Sequence, residues 1–460
     1  MTQAQISRIV AGILLAGASA GIAHGESSDA LLKKLVEKGI LTTKEADELE
    51  SESKNEVKKD WVRGAGLPDW VTSMKLYGDF RGRFEQNNSE NSAYYTRDRF
   101  RYRLRLGLTT TLLDNFELGF RVASGNPQTN PGGVLVGGQP ITANQDLNSL
   151  ESRKFLWIDA AYAKWTAIKN DTWTVSGTVG KMDNPFQLSN MIWDYDIVPE
   201  GAALQTVYNV NEKHALKLNA AAFVLDELNQ GDPSPGGPAV SPSHDPYLFG
   251  GQALFESKWT PDFDTSVGVA AFTIDHKESL SSKVQPFYNA GNTRDANGFL
   301  ANNFNPIIGS ASATYKFGAI PIYPGKFPVK IGGEVMENPA ADNNNEAWRV
   351  GFTLGKAGRK GAWELNYRYQ HLEADAWFDA LVDDDNGAYY AAGNPQLAGS
   401  GKASGWFGGT NVKGHQVVAT YSITDFMNFT FIYYNNELII NTPGQTSEAS
   451  HFMGELNWRF

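Results

Sequence analysis

Residues 98–109 read D-R-F-R-Y-R-L-R-L-G-L-T, with Arg99, Arg101, Arg103 and Arg105 at one parity and Phe100, Tyr102, Leu104, Leu106 and Leu108 at the other. Side chains of a β-strand alternate faces with period two. As a strand, this segment has one guanidinium face and one wholly apolar face. As a helix it would scatter its arginines around the axis. The same period recurs from Val71 to the C-terminus and predicts sixteen strands, near 72–85, 98–111, 115–125, 154–167, 172–182, 201–210, 214–225, 247–259, 264–275, 306–317, 327–337, 346–357, 361–371, 413–424, 427–436 and 449–460. In 361–371, Trp363, Leu365, Tyr367 and Tyr369 lie opposite Glu364, Asn366, Arg368 and Gln370. In 449–460, Phe452, Gly454, Leu456, Trp458 and Phe460 oppose Glu455, Asn457 and Arg459.

The connections sort by length. Short ones fall at 112–114, 168–171, 211–213, 260–263, 358–360 and 425. Long ones, rich in Gly, Pro, Asn, Ser and Asp, fall at 126–153, 183–200, 226–246, 276–305 and 372–412. Tight turns at one end and long loops at the other are the rhythm of an up-and-down barrel that crosses a membrane. A soluble sandwich has no reason to sort its loops this way. The expected fold class is all-β, a sixteen-stranded antiparallel transmembrane β-barrel over 71–460 with a short helical extension before it.

That reading fixes the direction of the arginines. Arg on the lipid face costs about 2–4 kcal/mol at mid-depth, so four on one strand cost roughly 8–16 kcal/mol. This is as much as the whole stability of a typical domain. The arginines are therefore expected to face a hydrated lumen. On the preceding strand Tyr77, Asp79, Arg81, Arg83 and Glu85 share the same face, and on the following strand Glu117 and Arg121 do. The candidate pore-lining set is Arg81, Arg83, Arg99, Arg101, Arg103, Arg105, Glu117 and Arg121.

The first seventy residues break the period. Arg8, an apolar run over 9–16 and small residues at 18–20 or 23–25 read as a cleaved signal peptide, residues 1–25. Residues 26–70 read as a periplasmic extension: two short helices, with Gly39 closing the first and Thr42-Thr43-Lys44-Glu45 capping the second, then a linker with Gly64, Gly66 and Pro68. No later stretch approaches the roughly 18 apolar residues of a transmembrane helix, so strands are the remaining way across a bilayer.

Composition adds exclusions. Net charge is −11, which argues against a nucleic-acid partner. With no cysteine there is neither a disulfide scaffold nor a thiolate metal site. The seven histidines show no metal-ligand spacing. Residues 383–387, D-D-D-N-G, lack the alternating acids and distal Glu of a calcium loop. No metal, cofactor or catalytic residue is expected.

The terminal strand His451-Phe452-Met453-Gly454-Glu455-Leu456-Asn457-Trp458-Arg459-Phe460 and the loop rhythm give the chain a resemblance. It resembles the Gram-negative outer-membrane porins, the broad group that includes phosphate-selective and general diffusion porins. The resemblance implies an outer-membrane location among lipid and lipopolysaccharide, passive diffusion of small hydrophilic solutes or ions, and a homotrimer. It implies that Trp458 and Phe460 carry the signal read by the barrel-assembly machinery. It also implies that the loop after the fifth strand, here 183–200, folds inward as a constriction, with Asp183, Asp194, Asp196 and Glu200 facing the arginines. Acids opposite a basic wall give a transverse field and separate tracks for ions of each sign. The ladder suggests an anion preference, opposed by acids at 373, 375, 379 and 383–385 if these form a vestibule. Two other readings compete. An outer-membrane barrel enzyme of lipase or protease type needs a Ser/His/acid cluster at one rim, and an exported carbohydrate-binding β-sandwich needs its apolar parity in a core.

Overall fold

The computed structural model describes residues 66–129, 135–227, 244–280 and 290–460. The signal peptide and helical extension read from the sequence lie outside these residues, apart from 66–70. Two compact units are distinguished, one of Met1–Lys75 with Thr109–Glu117, the other of Leu76–Leu108 with Leu118–Phe460. In the first, the turn Leu113–Asn115 is held by the Leu113 amide donating to the Trp70 carbonyl at 2.9 Å. Asp114 and Asn115 there take φ of 58° and 61°, a region these two residue types tolerate.

The barrel strands are β1 (Val71–Ser89), β2 (Arg97–Leu112), β3 (Phe116–Ser124), β4 (Leu156–Lys169), β5 (Trp173–Lys181), β6 (Glu200–Asn209), β7 (His214–Val224) and β8 (Tyr247–Thr260). They continue as β9 (Phe263–Asp275), β10 (Ile307–Ala319), β11 (Lys326–Glu337), β12 (Glu346–Gly355), β13 (Trp363–Leu372), β14 (Val412–Ser422), β15 (Met427–Leu438) and β16 (Ala449–Arg459). Each pairs antiparallel with its sequence neighbour, and β16 returns to β1, so the sixteen strands close with no free edge. All sixteen lie where the period-two pattern put them. A sandwich is excluded by this closure.

The seam shows why a small residue stands at 78. The Phe460 amide donates to the Gly78 carbonyl at 3.1 Å and the Gly78 amide to the Phe460 carbonyl at 3.0 Å. A Cβ at Gly78 would lie 2.5 Å from the Arg105 carbonyl oxygen.

Apolar side chains of the strands point outward. Phe100 is 62% exposed and Ile331 60%, as expected of a face meant for lipid rather than water. Much of the same-strand polar parity is buried inside, as at Arg101, Gln252 and Gln370. The buried apolar cluster is inside as well, and it is built largely from loops. Met191, Ile192 and Trp193 of the segment 182–199 pack with Leu300 and Phe304 from 276–306 and with Trp377, Phe378 and Leu381 from 373–411. These rest on inward residues of the strands, among them Phe223, Leu248, Phe272 and Ile308. Three loops thus fill part of the loop end of the barrel.

Candidate functional site

The arginines of β1–β3 do face inward, and each meets carboxylates. Arg103 donates to Asp79 at 2.9 Å and Arg105 to the same carboxylate at 2.7 Å. Arg83 lies 2.7 Å from Glu455 and 3.3 Å from Asp385. Arg81 is 3.4 Å from Glu455 and donates to Asn144 at 2.7 Å. Arg101 is 2.8 Å from Asp146 and 3.3 Å from Glu85, which also pairs with Arg99. Arg121 pairs with Asp159 and donates to Asp183 at 2.7 Å. Glu117 is half-buried on the same parity of β3.

Four carboxylates that meet the ladder come from loops, Asp146, Asp183, Asp196 and Asp385. Residues 145–146 add a short strand to β2, in register Arg101 with Asp146. Asp196 of the segment 182–199 reaches Arg103 at 3.3 Å, and Asp385 of 373–411 reaches Arg83. Arg81, Arg83, Arg101 and Arg121 are buried as a result. The structure brings the ladder together with Asp183 and Asp196. It does not bring Glu200 there: that carboxylate pairs with Lys181 at 2.9 Å. Asp194 is buried away from the arginines, its backbone amide donating to the Leu381 carbonyl at 2.7 Å.

Asp194 joins a second cluster that the sequence did not announce. One carboxylate oxygen each from Asp194, Asp383 and Asp384 lie within 4.8 Å of one another. Burial pushes all three carboxyls up, with the neighbouring acids adding to it, and Asp383 reaches about 7. Asp196 goes the other way. Burial opposes its ionisation, but Arg103, Arg81, Arg105 and Arg83 outweigh this and hold it below the usual carboxylate range. One loop therefore carries a carboxyl that stays charged and one that takes up a proton readily.

The acids read as an open vestibule are mostly interior. Asp379 is 0% exposed and pairs with the buried Arg294 at 2.8 Å. Asp375 is buried and accepts from the Thr293 hydroxyl at 2.6 Å. Hydrophobic neighbours such as Trp377 and Phe378 drew these acids inward, and alternation within a loop carries no such signal. The Trp377 indole donates to the Ile192 carbonyl at 2.8 Å, tying 373–411 to 182–199.

Open space lies on the other side of the inserted segment. A cavity of about 330 Å³ is bounded by Gln187, Ser189 and Tyr195 on the loop side. On the wall it is lined by Ser266 of β9, Ser310 and Ser312 of β10, Lys330, Gly332 and Glu334 of β11, Arg349 and Thr353 of β12, and Asn366 and Arg368 of β13. Arg368 was on the polar parity of its strand in the sequence but stood alone there. Its companions Lys330 and Arg349 come from strands whose pairing only the fold supplies.

Trp458 and Phe460 sit at the closing seam. Trp458 packs on Phe80 with ring centroids 5.7 Å apart, and the Phe460 ring is exposed. His214 Nδ1 lies 3.0 Å from the Ser257 hydroxyl near the turn end of β7 and β8, with no carboxylate joined to that pair among the described residues.

Residues 91–304 match the protein-family model described as "Putative porin". No curated protein sequence matches the chain. Among solved structures, the chain is similar to OprB of Pseudomonas putida, at 11% identity and a TM-score of 0.50, over 84% of this chain and 94% of that one. It is also similar to a triple mutant of Rhodopseudomonas blastica porin, at 10% identity and a TM-score of 0.39, over 84% of this chain and 100% of that one.

Proposed function

We propose that the chain is a porin-type protein of the Gram-negative outer membrane and a passive diffusion channel for small hydrophilic solutes and ions. Its passage runs between the inserted segment 182–199 and the wall formed by β9–β13. The observation that carries this reading is the polar cavity between Tyr195 and that wall, inside a closed barrel. A water-filled path needs hydroxyls, amides and charges, and Ser266, Ser310, Ser312, Thr353 and Asn366 supply them.

The ladder has a different task in this account. Arg83, Arg99, Arg101, Arg103 and Arg121 clamp loops to the wall through Asp385, Asp146, Asp196 and Asp183, and Arg81 does so through Asn144. Half-buried and buried arginines already matched by carboxylates present little net charge to a passing ion. The fully buried apolar cluster beside them denies a second route. The protein works as a homotrimer among lipid and lipopolysaccharide, and Trp458 and Phe460 present the terminal strand to the assembly machinery. Catalysis is not favoured, since the Ser257–His214 pair lacks an acid among the described residues.

Planar lipid bilayers test the channel reading. Folded, detergent-purified protein is expected to give discrete conductance steps. A folded barrel that never conducts would refute it.

A further inference from the structure

Across the lumen from the ladder, β11, β12 and β13 carry a second set of cations with few counter-charges. Arg349 has Glu334 at 3.7 Å. Arg368 forms no ion pair among the described residues, and Lys330 neither ion pair nor side-chain hydrogen bond. In register, Glu334 faces Arg349, Gly332 faces Gly351, and Lys330 faces Thr353. Gly351 in turn faces Arg368, and Thr353 faces Asn366. The three cations therefore occupy successive same-face rungs, about 7 Å apart along the strands. They form a stair descending from the loop end.

Two features make this stair a receptor rather than a scatter of charge. Arg349 and Arg368 both donate to one oxygen, Asn190 Oδ1, at 2.6 and 3.2 Å. A neutral amide oxygen sits where two guanidinium groups converge. An anionic oxygen there would make charge-assisted hydrogen bonds roughly twice as strong. The second feature is room. Residues 332 and 351 are glycines lining the cavity, so neither position puts a side chain into it. Above this recess stands the ring of Tyr195, 67% exposed, with Leu188 and Leu254 beside the cavity. A carbon skeleton gains from those apolar surfaces and an inorganic anion does not.

We propose that Lys330, Arg349 and Arg368 form a stepped binding site for small organic anions bearing a carboxylate, and that this site sets the ion preference of the channel. The proposal rests on the diffusion reading above. The cavity is narrow enough that any ion in it lies within the Debye length, about 10 Å at 0.1 M salt and about 3 Å at 1 M. The preference therefore weakens as salt rises.

The test uses the full folded chain in planar bilayers, with reversal potentials under a KCl gradient and current block by succinate or by inorganic phosphate. The wild type is expected to favour chloride over potassium, more so at low salt. Succinate is expected to reduce the chloride current at lower concentration than phosphate does. R368Q is expected to weaken succinate block about tenfold, the loss of one charge-assisted hydrogen bond, and to move the reversal potential toward potassium. K330Q, at an exposed side chain with no ion-pair or hydrogen-bond partner among the described residues, is expected to move it the same way. A conducting channel whose reversal potential is unchanged in both variants overturns the site and leaves the diffusion reading standing. So does phosphate block as strong as succinate block. Folded barrel without conductance overturns the diffusion reading, and the site with it.

Discussion

Trp377 is the side chain on which the inserted loops depend most. It is fully buried, packs against Phe272 and Phe304 with centroids 5.6 and 6.4 Å away, and donates to the Ile192 carbonyl at 2.8 Å. Trp377→Ala removes on the order of 200 Å² of buried apolar surface, or about 5 kcal/mol at 25 cal/mol per Å². It also strands a buried carbonyl, at about 1–3 kcal/mol. Measured Trp-to-Ala costs in cores run about 3–5 kcal/mol, because the surroundings relax. The barrel hydrogen bonds do not pass through this residue, so the cost falls on the loop assembly. A loss of about 4 kcal/mol shifts a local open-to-closed ratio by roughly a thousandfold. The expected result is a barrel that keeps its heat-resistant mobility on gels, conducts more with a noisier open level, and is cut by protease within 373–411. Trp377→Phe should fall between, since it restores most of the volume without the N–H. Unchanged conductance and protease resistance in a folded Trp377→Ala barrel would refute the argument.

Three further outcomes follow. Asp383 has its pKa raised by burial to about 7, well above the ordinary carboxylate near 3.9, so its contribution to loop docking is present in full below about pH 4 and lost as pH rises through 7. Conductance fluctuations should grow between pH 6 and 8, and Asp383→Asn, which can still accept from the Tyr434 hydroxyl and Asn190, should flatten that dependence; a dependence that persists in the variant counts against it. Arg103→Gln should take the ion pair from Asp196 and one of two arginines from Asp79, and raise loop noise while moving the reversal potential less than R368Q does. Phe460→Ala should lower the fraction of chains recovered as heat-resistant barrel in outer membranes; wild-type recovery would remove the assembly role.

Much of this fold was legible because a membrane enforces period two on both faces. Phe100, Tyr102 and Leu104 against Arg99, Arg101 and Arg103 leave one register, and the cost of arginine in lipid decides it. Strand order follows from short connections. The site was less legible. Sequence placed Asp183 and Asp196 near the ladder through the position of one loop, and both arrive there. It could not see that Asp146 and Asp385 complete the neutralisation, since these lie on other loops whose inward folding depends on packing of Trp377 and Phe378. Glu200 was grouped with the constriction acids, yet it opens β6 and pairs across to β5. The stair of Lys330, Arg349 and Arg368 was hidden for a different reason. Each is a single cation on its own strand, and only the register of β11–β13 sets them on adjacent rungs.

The central claim is where the passage runs, and the absence of cysteine makes a direct measurement clean. Ser312→Cys places a thiol on the wall of the cavity, while Ser124→Cys places one behind the clamped loops near the ladder, at a buried hydroxyl that accepts from the Leu104 amide at 2.9 Å. A bulky, charged methanethiosulfonate reagent added to an open channel in a bilayer should reduce conductance at Ser312→Cys within one application and leave Ser124→Cys unchanged. Block at Ser124→Cys with none at Ser312→Cys would contradict the account, because the open path would then follow the ladder.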